Sequence, residues 1–80
     1  MEPFIGQIQL FPFTYTPMGW ALCNGATLAV VQNQALFSLI GNKFGGDGKT
    51  NFMLPNLANT SPVPGMEYYI ATTGLYPTRP

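Results

Sequence analysis

Near the start of the chain hydrophobic and polar positions alternate, with Ile8 and Leu10 interleaved among Gln7, Gln9 and Phe11. A period of two is the pattern of a strand with one buried face. Phe4 to Phe13 therefore reads as a strand, and Pro12 stops it or confines it to a sheet edge. Thr14 to Met18 is a connection. Pro17 to Gly25 then runs Pro-Met-Gly-Trp-Ala-Leu-Cys-Asn-Gly. A β-prone run that closes on Asn-Gly predicts the first arm of a hairpin, because both central residues of a type I′ turn take φ > 0 and Asn and Gly tolerate it best. Ala26 to Val31 would be the returning arm. Trp20, the only tryptophan, is expected to anchor the core as its largest apolar side chain.

The period changes over Gln32 to Ile40, where Leu36, Phe37 and Ile40 fall on one side and Gln32, Gln34 and Ser38 on the other. This spacing predicts a short amphipathic helix, with Gly41 as the residue just past its end. Its start is weakly capped, since Val30 and Val31 stand where Ser, Thr or Asp is preferred. Asn42 to Thr50 is a glycine-dense loop containing Gly45-Gly46-Asp47-Gly48. Asn51 to Leu54 predicts a short strand with Phe52 and Leu54 on one side, ended by Pro55. Asn56 to Gly65 has turn residues without periodicity. Tyr68 to Thr73 is β-prone, and the chain then finishes in a proline-rich tail. No internal repeat is visible. The sum is one α+β domain over residues 1–80, with its core in 5–57 and a C-terminal strand and tail in 66–80.

Charge changes this picture most. Lys, Arg, Asp and Glu make up 8% of the 80 residues, the formal net charge is zero and 46% of the residues are hydrophobic; an average soluble domain is about 25% charged. A neutral, charge-poor surface does little to keep copies apart, so self-association is expected. The apolar strand residues Phe4, Ile5, Ile8 and Leu10, with Tyr69 and Ile70 of the C-terminal segment, are the candidates to be buried between copies by strand addition or face packing. Three basic residues cannot neutralise a run of phosphates, which argues against a nucleic-acid partner. No apolar run approaches the ~20 residues of a membrane span. Met1-Glu2-Pro3-Phe4 lacks a basic region and is broken by proline, so no secretory signal peptide is expected.

Candidate chemistry is sparse. Gly48-Lys49-Thr50 evokes a phosphate-binding loop, but Lys43 stands where that motif needs its first glycine, and the helix precedes the glycines instead of following them. Asp47 alone falls far short of a calcium site and suits an Asx-turn better. Cys23, the only cysteine in a chain without histidine, has no base to activate it and is expected to be a small buried apolar residue. A paired acid and base from Glu2 and Glu67 would need the fold to bring them together. No enzyme activity, metal or cofactor is expected. A rival reading is a small-ligand or glycan-binding module on an aromatic pocket around Trp20, with Tyr15, Phe44 and the glycine loop.

Pro17, Gly19-Trp20, Leu22-Cys23-Asn24-Gly25, Gln34-Ala35-Leu36-Phe37-Ser38-Leu39-Ile40-Gly41, Phe44-Gly45-Gly46-Asp47-Gly48, Phe52 and Leu54-Pro55-Asn56-Leu57 together resemble the phage tail collar domain. That domain is known also from bacterial proteins labelled microcystin-dependent. The resemblance runs from about Ile5 to Leu57, and the ending Tyr69-Ile70-Ala71 with Gly74 to Arg79 is similar to the close of the bacterial members. It implies a structural part, not a catalyst, with Trp20, Cys23, Asn24, Gly25, Leu36, Phe37, Gly45, Gly46, Asp47, Gly48, Leu54 and Pro55 as core and motif residues. Collar domains of short tail fibres sit as trimers between shaft and head. The implied partners are copies of the chain, in a trimer or an extracellular filament, and other tail or fibre proteins. The implied location is a virion tail or the cell exterior. Two departures bear on receptor binding: Ala58-Asn59-Thr60-Ser61 stands where the family has a basic run after Leu57, and no shaft or receptor-binding head is expected within these 80 residues. A minimal assembly subunit is the expectation.

Overall fold

A computed structural model describes residues 2–12 and 16–77. The element order is β1 (Ile8–Pro12), β2 (Trp20–Leu22), β3 (Thr27–Ala29), α1 (Gln34–Ile40), β4 (Asn51–Met53) and β5 (Met66–Ala71). β1, β5 and β2 form an antiparallel three-stranded sheet with β5 in the middle, and β3 pairs with β4 in a second, two-stranded sheet. The α+β expectation holds. Phe13 and Tyr15, which the sequence placed at the end of the first strand and in an aromatic pocket, lie outside the described residues.

The N-terminal strand is shorter than its alternation suggested, because Gly6 interrupts it. Gln7 N–H donates to the Phe4 carbonyl (3.0 Å), closing a tight turn with Gly6 at φ +89°. Gly6 N–H donates to the Ala71 carbonyl and Ala71 N–H to the Gln7 carbonyl, both 2.9 Å, so two residues face one. This is a β-bulge whose first residue is a left-handed glycine. Beyond it, Ile8 pairs with Ile70 and Pro12 with Met66. Upstream, Phe4 forms a parallel bridge with Leu75.

The Asn24-Gly25 hairpin is not formed. β2 pairs with β5 and β3 with β4, so the expected arms belong to different sheets. Asn59 is the one non-glycine residue at positive φ among the described residues, so Asn24 cannot occupy a type I′ position. Instead the Asn24 side-chain oxygen accepts the Ala26 N–H (3.1 Å), an Asx-turn that swings the chain from one sheet to the other.

Side chains of Ile70, with Tyr68 and Ala21, face the core. It is built from Cys23, Leu36, Phe52, Leu54, Ile70 and Ile5. α1 contributes Leu36, fully buried, and Phe37, whose ring lies 5.3 Å from that of Phe52. Asn33 caps α1 without a side-chain bond, and its amide donates to the Ala29 carbonyl (3.1 Å). At the other end Gly41 N–H donates to the Phe37 carbonyl (2.7 Å). A seven-residue helix of this kind is held by packing, not by its own ladder.

Trp20 is not the centre of this core. It sits half-buried on the opposite face of the sheet, where its ring meets Phe11 edge-on at 5.0 Å and Phe11 meets Tyr69 at 5.8 Å. The sheet is thus covered on both faces at β5: Ile70 lies inward and Tyr69 outward, each 1% exposed.

Leu36→Ala is expected to lower stability by about 3 kcal/mol, read as a shift of the urea midpoint, whereas Leu39→Ala on the exposed side should stay within about 0.5 kcal/mol. Equal effects at the two positions would contradict the assigned helix face.

Candidate functional site

Two clusters of motif residues come together in the fold. Leu22 to Ala26 runs antiparallel to Leu54 to Leu57, with Asn24 bridging Asn56. Leu57 N–H donates to the Cys23 carbonyl (2.8 Å), Gly25 N–H to the Pro55 carbonyl (3.3 Å) and Leu54 N–H to the Ala26 carbonyl (2.9 Å). Asn56 repeats the device of Asn24, its side-chain oxygen accepting the Ala58 N–H (3.2 Å). Cys23, Leu54 and Pro55 are buried at this seam. Burial pushes the Cys23 thiol up to about 11, so it is neutral and a poor nucleophile at neutral pH.

The second cluster is the loop before β4. One carboxylate oxygen of Asp47 accepts the N–H groups of Lys49 (2.8 Å), Thr50 (2.9 Å) and Asn51 (3.1 Å), and the other accepts the Thr50 hydroxyl (2.8 Å). In return Asp47 N–H donates to the Asn51 side chain (3.0 Å). These donors, Lys49 N–H first, hold the carboxyl well below the usual carboxylate range. Gly45 and Gly48 bond the same strand, through Met53 N–H to the Gly45 carbonyl (3.1 Å) and Gly48 N–H to the Asn51 carbonyl (3.0 Å). Gly46 lies so close to β4 that a β-carbon there would stand 2.6 Å from Phe52 Cα. Asp47's oxygens are thus spent on its own loop, and no group of three or more metal-ligating side chains occurs among the described residues.

The surface holds two further features. Phe4, Leu39, Leu75 and Tyr76 are exposed apolar side chains. They lie near one another: Phe4 bridges Leu75, Tyr76 shares a 2.6 Å hydrogen bond with Ser38, and Leu39 is the nearest side chain to Gly6. Ile8 on β1 is exposed as well, whereas Ile5, Tyr69 and Ile70 are buried within the protomer. Tyr69 and Ile70 lie on β5, a central strand with no edge to offer, and Ile5 is part of the core cluster, so these three are corrected from contact residues to interior ones. The second feature is a groove of about 490 Å³ lined by Glu2, Pro3, Phe4, Gln7, Gln9, Phe11, Pro17 and Trp20. The aromatic pocket expected around Trp20 therefore involves neither Phe44 nor the glycine loop. The groove's polar residues escaped the sequence reading, because only the bulge at Gly6 carries Glu2 and Phe4 back beside β1.

Two consequences can be measured. The folded-state pKa of Asp47 is depressed, so its contribution to the loop is complete above the unfolded value of about 3.9 and is lost as pH falls toward the folded value. Carboxyl resonances followed by NMR should show Asp47 titrating well below the usual carboxylate range, and Asp47→Ala should abolish slow exchange of the Lys49, Thr50 and Asn51 amides; an ordinary midpoint would contradict this. Cys23 should resist a thiol reagent at pH 8 in the folded protein and react at once in denaturant. Rapid labelling without unfolding would place the thiol outside the core.

Comparison with known proteins bears on what these clusters mean. Searches among curated proteins and among solved structures return no match. A family model described as the phage tail collar domain, a structural module of tail fibres and not an enzyme family, matches residues 6–62. The matched span opens at the Gly6 bulge, contains both sides of the Cys23–Leu57 seam and the Asp47 loop, and ends before β5. With well over half of its length matched, the chain belongs to the phage tail collar domain family.

Proposed function

We propose that this collar domain works by assembling with copies of itself as a structural component of a phage tail or phage-like particle, either in a closed trimer or along an extracellular filament. The observation that supports this reading most is the state of β1. Among the described residues no strand pairs with its outer side. Gln7 lies in a hydrogen-bonded pair with Ala71, and bonded pairs alternate along an antiparallel ladder, so Ile8 and Leu10 turn their backbone N–H and C=O groups outward. An open edge of this kind accepts another strand. Pro12 lacks a donor and limits how far such pairing extends.

The apolar surface of Phe4, Leu39, Leu75 and Tyr76 adjoins the same end of the sheet. With 8% charged residues and zero formal net charge, little electrostatic repulsion opposes contact between copies. Whether contacts close or run on depends on the rotation between copies, and other tail or fibre proteins could dock on the same edge. Among the described residues no helix is long and apolar enough to cross a membrane.

Light scattering or sedimentation across a dilution series tests the reading. The wild-type chain should exceed the monomer mass at micromolar concentration, and Ile8→Lys, which places a charge on the open edge, should raise the dissociation concentration at least about tenfold with an unchanged circular dichroism spectrum. A wild-type chain that stays monomeric throughout would overturn it.

A further inference from the structure

The groove on the outer face of the sheet shares Phe4 with the apolar surface but adds polar groups and an aromatic ring that contact between copies does not require. We propose that it binds a neutral carbohydrate, with one sugar ring laid against Trp20 and its hydroxyls met by Gln9, Gln7 and Glu2. Trp20 is the largest aromatic of the chain, yet it lies half-buried at the groove, and Phe11 packs edge-on against it at 5.0 Å and an interplanar angle of 73°. That contact fixes the indole before any ligand arrives, which limits the entropy lost on binding.

The polar side of the groove is equally ordered. The Gln7 side-chain oxygen accepts the Phe4 N–H (3.1 Å) and its amide donates to the Gln9 side-chain oxygen (3.3 Å). This aligns the two amides and uses the Gln9 oxygen while leaving its amide N–H groups for a ligand, and the Glu2 carboxylate belongs to the same lining. Amide donors beside carboxylate acceptors match a hydroxyl, which both donates and accepts. A volume of about 490 Å³ falls in the range of small-ligand sites, about 300–1,000 Å³.

The lining also says what is refused. Among the described residues of the lining Glu2 is the one charged residue and no basic side chain occurs, so an anionic sugar or a phosphate would face a like charge there. A wholly apolar occupant would strip water from Glu2 and Gln9 and return no hydrogen bond. A sugar offers both an apolar ring face and polar rims, which is the combination these residues present.

Because Trp20 is the sole tryptophan, fluorescence excited at the red edge of absorption, where tyrosine does not absorb, reports on this groove. The full chain is titrated with maltotriose, cellotriose, mannotriose and N,N′,N″-triacetylchitotriose up to about 10 mM, with sialyllactose and decaproline as the acidic-sugar and proline-rich-peptide arms. Expected is a saturable change with at least one neutral sugar and none with sialyllactose or decaproline. Gln9→Ala should weaken binding about fivefold without moving the thermal melt, since Gln9 is exposed. No saturable response to any of the four sugars, affinity unchanged in Gln9→Ala, or tighter binding of decaproline or sialyllactose would each overturn the proposal.

Discussion

Everything in this domain depends on β5 inserting between β1 and β2. β1 and β2 have no bond to one another in the sheet, so each is organised only through the strand they share. The backbone groups of β5 are divided between them: Ala71 N–H goes to Gln7, while Thr72 N–H goes to Gly19 and the Tyr68 carbonyl receives Cys23 N–H. The side chains divide in the same way. Ile70 completes the core over Leu36, Phe52 and Leu54, and Tyr69 supports Phe11 and, through it, Trp20. One strand near the end of the chain thus closes both the interior and the outer aromatic face. Its pairing joins residues as distant as Ile8 and Ile70, and such non-local contacts must offset the entropy of closing a long loop before they stabilise anything.

The family motifs serve a different part of the structure. Cys23 to Gly25 and Leu54 to Leu57 form a seam at which the chain leaves the three-stranded sheet and enters the two-stranded one. Paired Asx-turns at Asn24 and Asn56 give the bend, while buried Cys23, Leu54 and Pro55 fill it. The glycine loop makes the matching corner on the far side of β4, where Asp47 gathers backbone N–H groups that would otherwise need solvent. These residues hold the two corners between sheets; of the other motif residues, Pro17 and Trp20 line the groove, and the open edge of β1 lies outside the motif set.

How much of this could be read from the chain follows from how local each cause is. The helix was legible because Leu36, Phe37 and Ile40 are neighbours on one turn and Gly41 terminates it. Phe52 and Leu54 were legible for a similar reason, as alternate residues of a strand bounded by glycines and Pro55. The Asn24-Gly25 turn misled because a two-residue turn and an Asx-turn carry the same letters. The choice between them is made by β5 and β4, which compete for the two arms. Trp20 misled through size alone: a core of Phe52, Leu36, Leu54 and Ile70 already fills the interior, and the register of β2 against β5 turns Trp20 to the other face. Ile8 was expected inside from its alternation, but on an edge strand it stays 41% exposed. The groove was the least legible feature, since it needs the Gly6 bulge to bring the N-terminal segment alongside β1.

The same arrangement explains why the domain can be both stable and available for contact. Tyr69 and Ile70 are enclosed by their own chain, whereas the outer side of β1, the apolar surface near Phe4 and the groove beside Trp20 are open. Native-state hydrogen exchange resolved by residue tests the central role of β5 most directly. The amides of Tyr69, Ile70 and Ala71 should exchange only through global unfolding, with the same opening free energy as Phe52 in the other sheet and Leu54 just beyond it. A partial opening that releases the β5 amides while Phe52 and Leu54 stay protected would show that the domain does not depend on that strand.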